Sequence, residues 1–235
     1  MRPRRVVVSG GAGALGQVLA ASMVDTGAEI HLVDRVEAVV EVAERIGAVP
    51  HCCDLTDEHA VAALPSFDEV GLLVNGVGAW PLHDAASVER RMWDHLIEVN
   101  LTAAFLLTQH LLPGLRKAGG SVVNVASAVA LKGNAQMVAY ATAKAGLLGL
   151  TRSLARALGG DGVRVNAVAP GFVRMSANDV QWAEDAYEQA RQARAIPDDL
   201  LPSDLVGAIE FLGSPGARMM TGQTLVVDGG VWMGP

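Results

Sequence analysis

Aromatic residues make up only 4% of this 235-residue chain. Its core must therefore be filled by aliphatic side chains and by close backbone approaches, and 26 glycines suit that demand. Cysteine is nearly absent: Cys52 and Cys53 are the only two, and they are adjacent. Sequence neighbours are poorly placed for an ordinary disulfide, and two thiols make no framework. They read as small residues ending a buried strand. Basic charge is in deficit, with 18 Lys and Arg against 25 Asp and Glu and a formal net charge of -7. No basic stripe is visible, which argues against nucleic acid as a partner. Long apolar runs are lacking too. The VVV after MRPRR is too short for a signal peptide, and no stretch is long enough to span a membrane. The six histidines (His31, His51, His59, His83, His95, His110) show no metal-ligand spacing, so no metal is expected. The chain reads as a soluble, cytoplasmic protein.

What is present is an alternation of short apolar runs with longer helical stretches. RRVVVS, EIHLVD, AVPHCC, EVGLLVN, SVVNVAS, VRVNAVAP and QTLVVDGG read as strands. Between them lie expected helices at Ala14–Thr26, Val36–Ile46, Asp57–Leu64, Val88–Leu112, Gln136–Leu158 and Asp204–Leu212, with helical character over Arg174–Pro197. Strands alternating with helices imply a parallel sheet covered on both faces, a three-layer α/β/α architecture. With 51% hydrophobic residues and no linker, composition break or repeat, residues 1–235 read as one domain. NLTAAFLLTQHLL and the stretch Ala139–Leu150 are apolar almost all round. A helix resting on a sheet needs only one apolar stripe, so a second subunit is expected against the other side.

SGGAGALG, Ser9 to Gly16, falls between the first strand and the first helix. Read as G-x-G-x-x-G it is Gly11, Gly13 and Gly16. Glycines permit the sharp turn and let backbone N–H groups reach a pyrophosphate, to which the helix N-terminus adds its dipole. A carboxylate follows at the end of the second strand, Asp34, suited to accept hydrogen bonds from adenosine ribose hydroxyls and to repel a 2′-phosphate. The turn also lacks a basic residue. Both facts favour NAD over NADP, and Arg35 is the counter-evidence, since it is able to pair with that phosphate.

Tyr140 and Lys144 stand four apart in VAYATAKAGLLGLT, on one face of an expected helix. A neighbouring positive charge favours the phenolate and is expected to lower the tyrosine from its ordinary pKa of about 10, making Tyr140 a candidate acid/base. The spacing alone arises by chance on many helices, so its meaning depends on the rest of the chain.

Taken together, these motifs resemble the short-chain dehydrogenase/reductase family in its classical form, over nearly the whole length. Ser127 precedes Tyr140 by thirteen residues, as the family's catalytic serine does. Tyr140 and Lys144 match its Y-x-x-x-K, and Asn100 in EVNLTAAF its fourth-helix asparagine. Asp54 in CCDLTD, with Leu55 beside it, matches the aspartate that contacts adenine. Asn75, Gly76, Val77 and Gly78 stand for N-N-A-G, and Pro170, Gly171, Phe172 and Val173 for the segment at the nicotinamide end. TGQTLVVDGG matches the usual last strand. The departures are Ala14 for the middle glycine of the turn, the loosened N-G-V-G, and Met175 for a threonine.

The resemblance implies a Rossmann-type doubly wound sheet with NAD across its C-terminal edge. Gly10, Gly13, Ala14, Leu15 and Gly16 would line the phosphates. Asp34, Arg35, Asp54, Leu55, Asn75, Gly76, Tyr140, Lys144, Pro170, Gly171 and Val173 would complete the cofactor site. Tyr140 would transfer the proton, Lys144 support it and bind ribose, Ser127 orient the reacting oxygen, and Asn100 anchor a water leading to solvent. Trp80, Val129, Met137, Phe172, Met175 and Trp182 are candidate walls for a small secondary alcohol or ketone. Their character points to an apolar or aromatic one, and residues 174–198 are expected to form a lid. A homotetramer is expected from the long helices. The rival readings are a 3-oxoacyl-[acyl-carrier-protein] reductase, with Arg90, Arg91 and Lys132 facing the acidic carrier, and a non-catalytic NAD-sensing protein.

Overall fold

A computed structural model describes residues 5–24, 26–175 and 181–234, without the side chains of 181–183. Seven parallel strands form one sheet in the order β3-β2-β1-β4-β5-β6-β7. They are β1 (Arg5–Ser9), β2 (Glu29–Asp34), β3 (Val49–Cys52), β4 (Leu72–Asn75), β5 (Ser121–Val125), β6 (Arg164–Pro170) and β7 (Thr224–Val227). The helices are α1 (Ala14–Val24), α2 (Ala38–Ile46), α3 (Glu58–Ala62), α4 (Arg90–Ile97), α5 (Ala103–Ala118), α6 (Val129–Lys132), α7 (Val138–Leu158), α8 (Gln181–Ala193) and α9 (Pro202–Gly213).

The alternation of strand side chains builds two cores. Val6, Val8, Leu72 and Val74 pack with Leu19, Leu205 and Ile209 of α1 and α9. Val7, Leu73 and Val122 turn to the other face and meet Leu107, Leu111 and Leu115 of α5. Central strands buried on both faces read as continuous apolar runs, which is why VVV and LLV stand out in the sequence. The strand order reverses beside β1, between β1 and β4. That switch point opens a crevice at the C-terminal ends of these strands.

Several expectations need adjusting. The long helix anticipated over 88–112 is interrupted. A π-helical turn, Glu98–Thr102, separates α4 from α5, and α5 continues to Ala118 before Gly119 closes it in the left-handed region. Between 174 and 197 the described helix is α8, and residues 176–180 lie outside the described residues. The short α6 was not anticipated. Cys53 is buried, but Cys52 is exposed, because β3 is an edge strand. Among the described residues, no helix is long and apolar enough to cross a membrane.

Candidate active site

The turn after β1 is held from both sides. The N–H groups of Gly10 and Gly11 both bond Val33 O of β2, and Gly10 takes a left-handed φ of 73°. At Gly16, a Cβ would strike the Gly10 carbonyl oxygen and Gly11 Cα. That close approach is what demands glycine at the start of α1. Asp34 Oδ2 accepts from Ala12 N at 3.0 Å, so the carboxylate expected at the ribose also braces the turn. On the other side of the same residue, in the next peptide unit, Gln17 Nε2 donates to Ala12 O at 2.6 Å. This cradle, with exposed Gly13 and free helix N-terminal amides, fits a dinucleotide pyrophosphate.

Where the adenosine end is expected, Arg35 is exposed beside Asp34. Asp54 Oδ1 accepts from Thr56 N at 2.9 Å and Thr56 Oγ1 at 2.7 Å, bonds that pull its carboxyl below the usual range. Leu55 is buried in the core with Val33 and Val61. Asn75, expected among the cofactor contacts, turns its side chain inward. It is 3% exposed, and Nδ2 donates to Thr108 Oγ1 of α5 and to Asn124 Oδ1 of β5, at 3.1 and 2.8 Å. Asn124 in turn donates to Thr151 Oγ1 of α7 at 2.8 Å. The network ties both long helices to the middle of the sheet. Gly76 follows, its N–H bonded to Ser9 Oγ at 3.1 Å, which joins the ends of β1 and β4.

The four residues expected to be catalytic gather at this edge. Ser127 lies just past β5, 7% exposed, where its Oγ accepts from Val129 N at 3.2 Å as the chain turns into α6. Ser127 also stands near enough to Tyr140 for its hydroxyl to favour the phenolate. Lys144, one turn further along α7, is 3% exposed and donates from Nζ to Val125 O at 2.8 Å. Nζ stands 5.8 Å from the centre of the Tyr140 ring. Asn100 sits inside the π-helical turn, which frees helix carbonyls from their usual partners. Its Nδ2 bonds Leu96 O and Ala79 O, at 3.0 and 2.9 Å, and its Oδ1 accepts from Ala79 N at 3.2 Å. Gly78 closes the cluster. A Cβ there would lie 3.1 Å from Asn100 Oδ1, 3.6 Å from Lys144 Nζ and 3.7 Å from the Trp80 ring. Sequence reasoning treated Gly78 as part of a loosened loop; the structure makes it the point where Asn100, Lys144 and Trp80 converge.

One electrostatic expectation is reversed. Burial pushes the Tyr140 phenol above its ordinary value, and the Ser127 hydroxyl pulls against that. Lys144 is itself stripped of water, which draws its ammonium down to about 8. Desolvation is the leading cause at both groups.

The candidate substrate walls are only partly brought together. Trp80 and Phe172 are 49% and 47% exposed. Val129, Met137 and Met175 are half-buried. Pro170 ends β6, and Gly171 N bonds Val227 O at 2.9 Å. The Phe172 ring stacks on Tyr187 of α8, centres 4.9 Å apart. Val173 pairs with Leu200, and beside it Arg174 and Arg191 alternate with Glu184 and Asp199 in a closed ring of ion pairs. The aromatic stack and the ion pairs fasten α8 over the segment after β6. Trp182 is on α8, but its side chain lies outside the described residues.

A doubly wound sheet with a serine, tyrosine, lysine and asparagine at its switch-point edge defines an oxidoreductase class. A family model described as Enoyl-(Acyl carrier protein) reductase matches residues 10–232. The chain is 33% identical over 240 residues to D-xylose 1-dehydrogenase of Caulobacter vibrioides, covering 98% of this chain and 96% of that protein. It is 37% identical over 175 residues to 3-oxoacyl-[acyl-carrier-protein] reductase of Vibrio cholerae, covering 73% and 70%. The solved structure of an oxidoreductase of the short chain dehydrogenase/reductase family from Burkholderia thailandensis superposes with a TM-score of 0.90. Its identity is 31%, and the match covers 98% of this chain and 93% of that one. The chain belongs to the short-chain dehydrogenase/reductase family.

Proposed function

We propose that the protein is an NAD-preferring dehydrogenase/reductase that interconverts a secondary alcohol and its carbonyl compound, with Tyr140 as the proton-transfer residue. The observation that carries this is Tyr140 with a buried Lys144 one helical turn on, its Nζ 5.8 Å from the phenol ring centre and bonded to Val125 O, at the same sheet edge as Ser127 and the Asp34-braced turn. A nicotinamide, when bound, supplies the hydride acceptor or donor. The turn and α1 hold its pyrophosphate, and Asp34 and Asp54 hold the adenosine end. Ser127 fixes the reacting oxygen. Tyr140 donates its proton to that oxygen in reduction and takes it back in oxidation. Because burial favours the protonated phenol, the apoprotein stands ready to donate; oxidation needs the phenolate, which the Ser127 hydroxyl and the Lys144 charge favour. Asn100, which meets Lys144 at Gly78, would anchor the water that the family resemblance implies between Lys144 and solvent.

The exposed Trp80 and Phe172 rings favour an apolar or aromatic alcohol. The name of the D-xylose relative favours a second substrate reading, an aldose oxidised at its anomeric carbon. An acyl-carrier reading has the named Vibrio relative in its favour, but Arg90 is paired with Asp94 at 2.7 Å rather than free for an acidic partner. Exposed Phe105 on the outward side of α5 supports the expected subunit contact.

Nicotinamide absorbance on a panel of 1-phenylethanol, acetophenone, D-xylose and acetoacetyl-coenzyme A, each with NAD(H) and NADP(H), tests this reading. Turnover with NAD(H) is expected, as is a loss of roughly 100- to 10,000-fold in kcat for Tyr140→Phe with NADH binding retained. A strong NADP(H) preference would overturn the cofactor assignment. An active Tyr140→Phe enzyme would overturn the mechanism. NADH binding without turnover of any compound would favour the sensor alternative.

A further inference from the structure

The first turn of α7 has no side-chain cap of its own. Met137 stands at the cap position and makes no side-chain bond, so the leading N–H groups need partners from elsewhere. One finds an imidazole: the Ala139 amide lies 3.3 Å from His83 Nε2. The other ring nitrogen, His83 Nδ1, lies 3.2 Å from Pro81 O. Together the contacts assign the tautomer. A carbonyl oxygen only accepts, so Nδ1 carries the hydrogen. An amide N–H only donates, so Nε2 is the bare acceptor. A third tie joins the backbones, His83 N to Gln136 O at 2.9 Å.

This single neutral ring connects two segments that meet nowhere near each other in sequence. One is Trp80-Pro81-Leu82, an exposed apolar loop whose tryptophan faces Gly78 and, through it, Asn100 and Lys144. The other is the helical turn that carries Tyr140, the residue after Ala139. Apart from the ring, the loop is tied by the two Asn100 bonds to Ala79 and by His83 N to Gln136 O. The loop has no secondary structure between Val77 and Asp84, and the helix end has no cap.

We propose that His83 is a positioning residue. It sets the Trp80 loop against the start of α7 and so keeps the substrate wall in register with the Tyr140 hydroxyl. It touches no reacting atom. The inference rests on the reading of Tyr140 as the proton-transfer residue.

Three substitutions separate the ring's two bonds. His83→Gln places an amide oxygen near the position of Nε2 and keeps the Ala139 bond. His83→Asn places an amide nitrogen near Nδ1 and keeps the Pro81 bond. His83→Ala removes both. Amide hydrogen exchange on the full chain tests the geometry without any substrate. His83→Ala should speed exchange in both 78–84 and 137–141. His83→Gln should restore protection at 137–141 alone, and His83→Asn at 78–84 alone.

Kinetics on whichever panel compound the wild type turns over tests the consequence. A small misplacement of reacting groups costs up to about 100-fold, so His83→Ala should lose roughly 10- to 100-fold in kcat/KM while NADH affinity stays within about twofold. His83→Gln should recover mainly kcat, through the tyrosine's helix, and His83→Asn mainly KM, through the loop. Unchanged exchange in His83→Ala would overturn the proposal. So would a parallel fall of kcat, NADH affinity and melting temperature in all three variants, which would mark a merely structural residue. A wild type inactive on every compound would sink the proposed function instead, and the exchange pattern would still decide what His83 holds.

Discussion

Lys144 carries a stability cost that should be visible in the pH dependence of unfolding. Its ammonium is 3% exposed, and burial draws it from 10.5 down to about 8. Between those two values the unfolded chain binds more protons at this site than the folded one, so folding stability rises with pH. The difference of about 2.5 units corresponds to roughly 3 kcal/mol of destabilisation at neutral pH, of which about 1 kcal/mol is relieved between about pH 7 and about pH 9. Two other buried groups act in the opposite sense higher up. Cys53 and Tyr140 are both raised by burial, so each removes stability as pH climbs past its unfolded value.

The informative quantity is therefore a difference of slopes. Urea denaturation of the apoprotein and of Lys144→Met, across that range, should show wild-type stability gaining on the variant by about 1 kcal/mol. The offset between the two curves also contains the lost bond to Val125 O, but that bond does not set the slope at which the curves converge. Parallel curves would refute the reasoning. They would mean that Lys144 keeps an ordinary ammonium in the folded state, and that desolvation does not govern this site.

The glycine turn and the buried amides give two further tests. Gly16→Ala puts a methyl group into the Gly10 and Gly11 backbone. It should cost about 1–3 kcal/mol in urea titration, as overpacking does, and abolish NADH binding; unchanged NADH affinity would show that the turn is more pliable than it looks. Asn124→Ala removes one of two partners from the buried Asn75 amide, which keeps Thr108, and one of two from the Thr151 hydroxyl, which keeps Leu147 O, and should cost about 1–2 kcal/mol. A cost well below about 0.5 kcal/mol would mean that the four-residue network contributes little.

Much of this molecule is legible before folding, and the reason is period. Strands buried on both faces read as near-continuous apolar runs, so VVV in β1 and LLV in β4 announce a parallel sheet. The glycine turn is readable because only glycine tolerates the approach of Gly16 to Gly10. Tyr140 and Lys144 are readable as a pair because helix geometry places residues four apart on one face. Other features carry no such local mark. The π-helical turn that aims Asn100 has the composition of ordinary helix, and it follows from Asn100 bonding across to Ala79. Asn75 looks like a cofactor contact in a motif. Its inward turn depends on Thr108 and Asn124, which come from α5 and β5. His83 has no motif at all, and one of its ring's two partners, Ala139, lies 56 residues downstream.

The amino-acid order thus determined the sheet and the turn, which rest on local periodicity and backbone sterics, and the family, and it singled out the Tyr140–Lys144 pair proposed to carry the proton. Only the tertiary structure decided the electrostatics. Whether Lys144 lowers Tyr140, or both are governed by burial, depends on how much water the surrounding chain removes and on where the ammonium finds its acceptor. Those are properties of segments that meet only after folding.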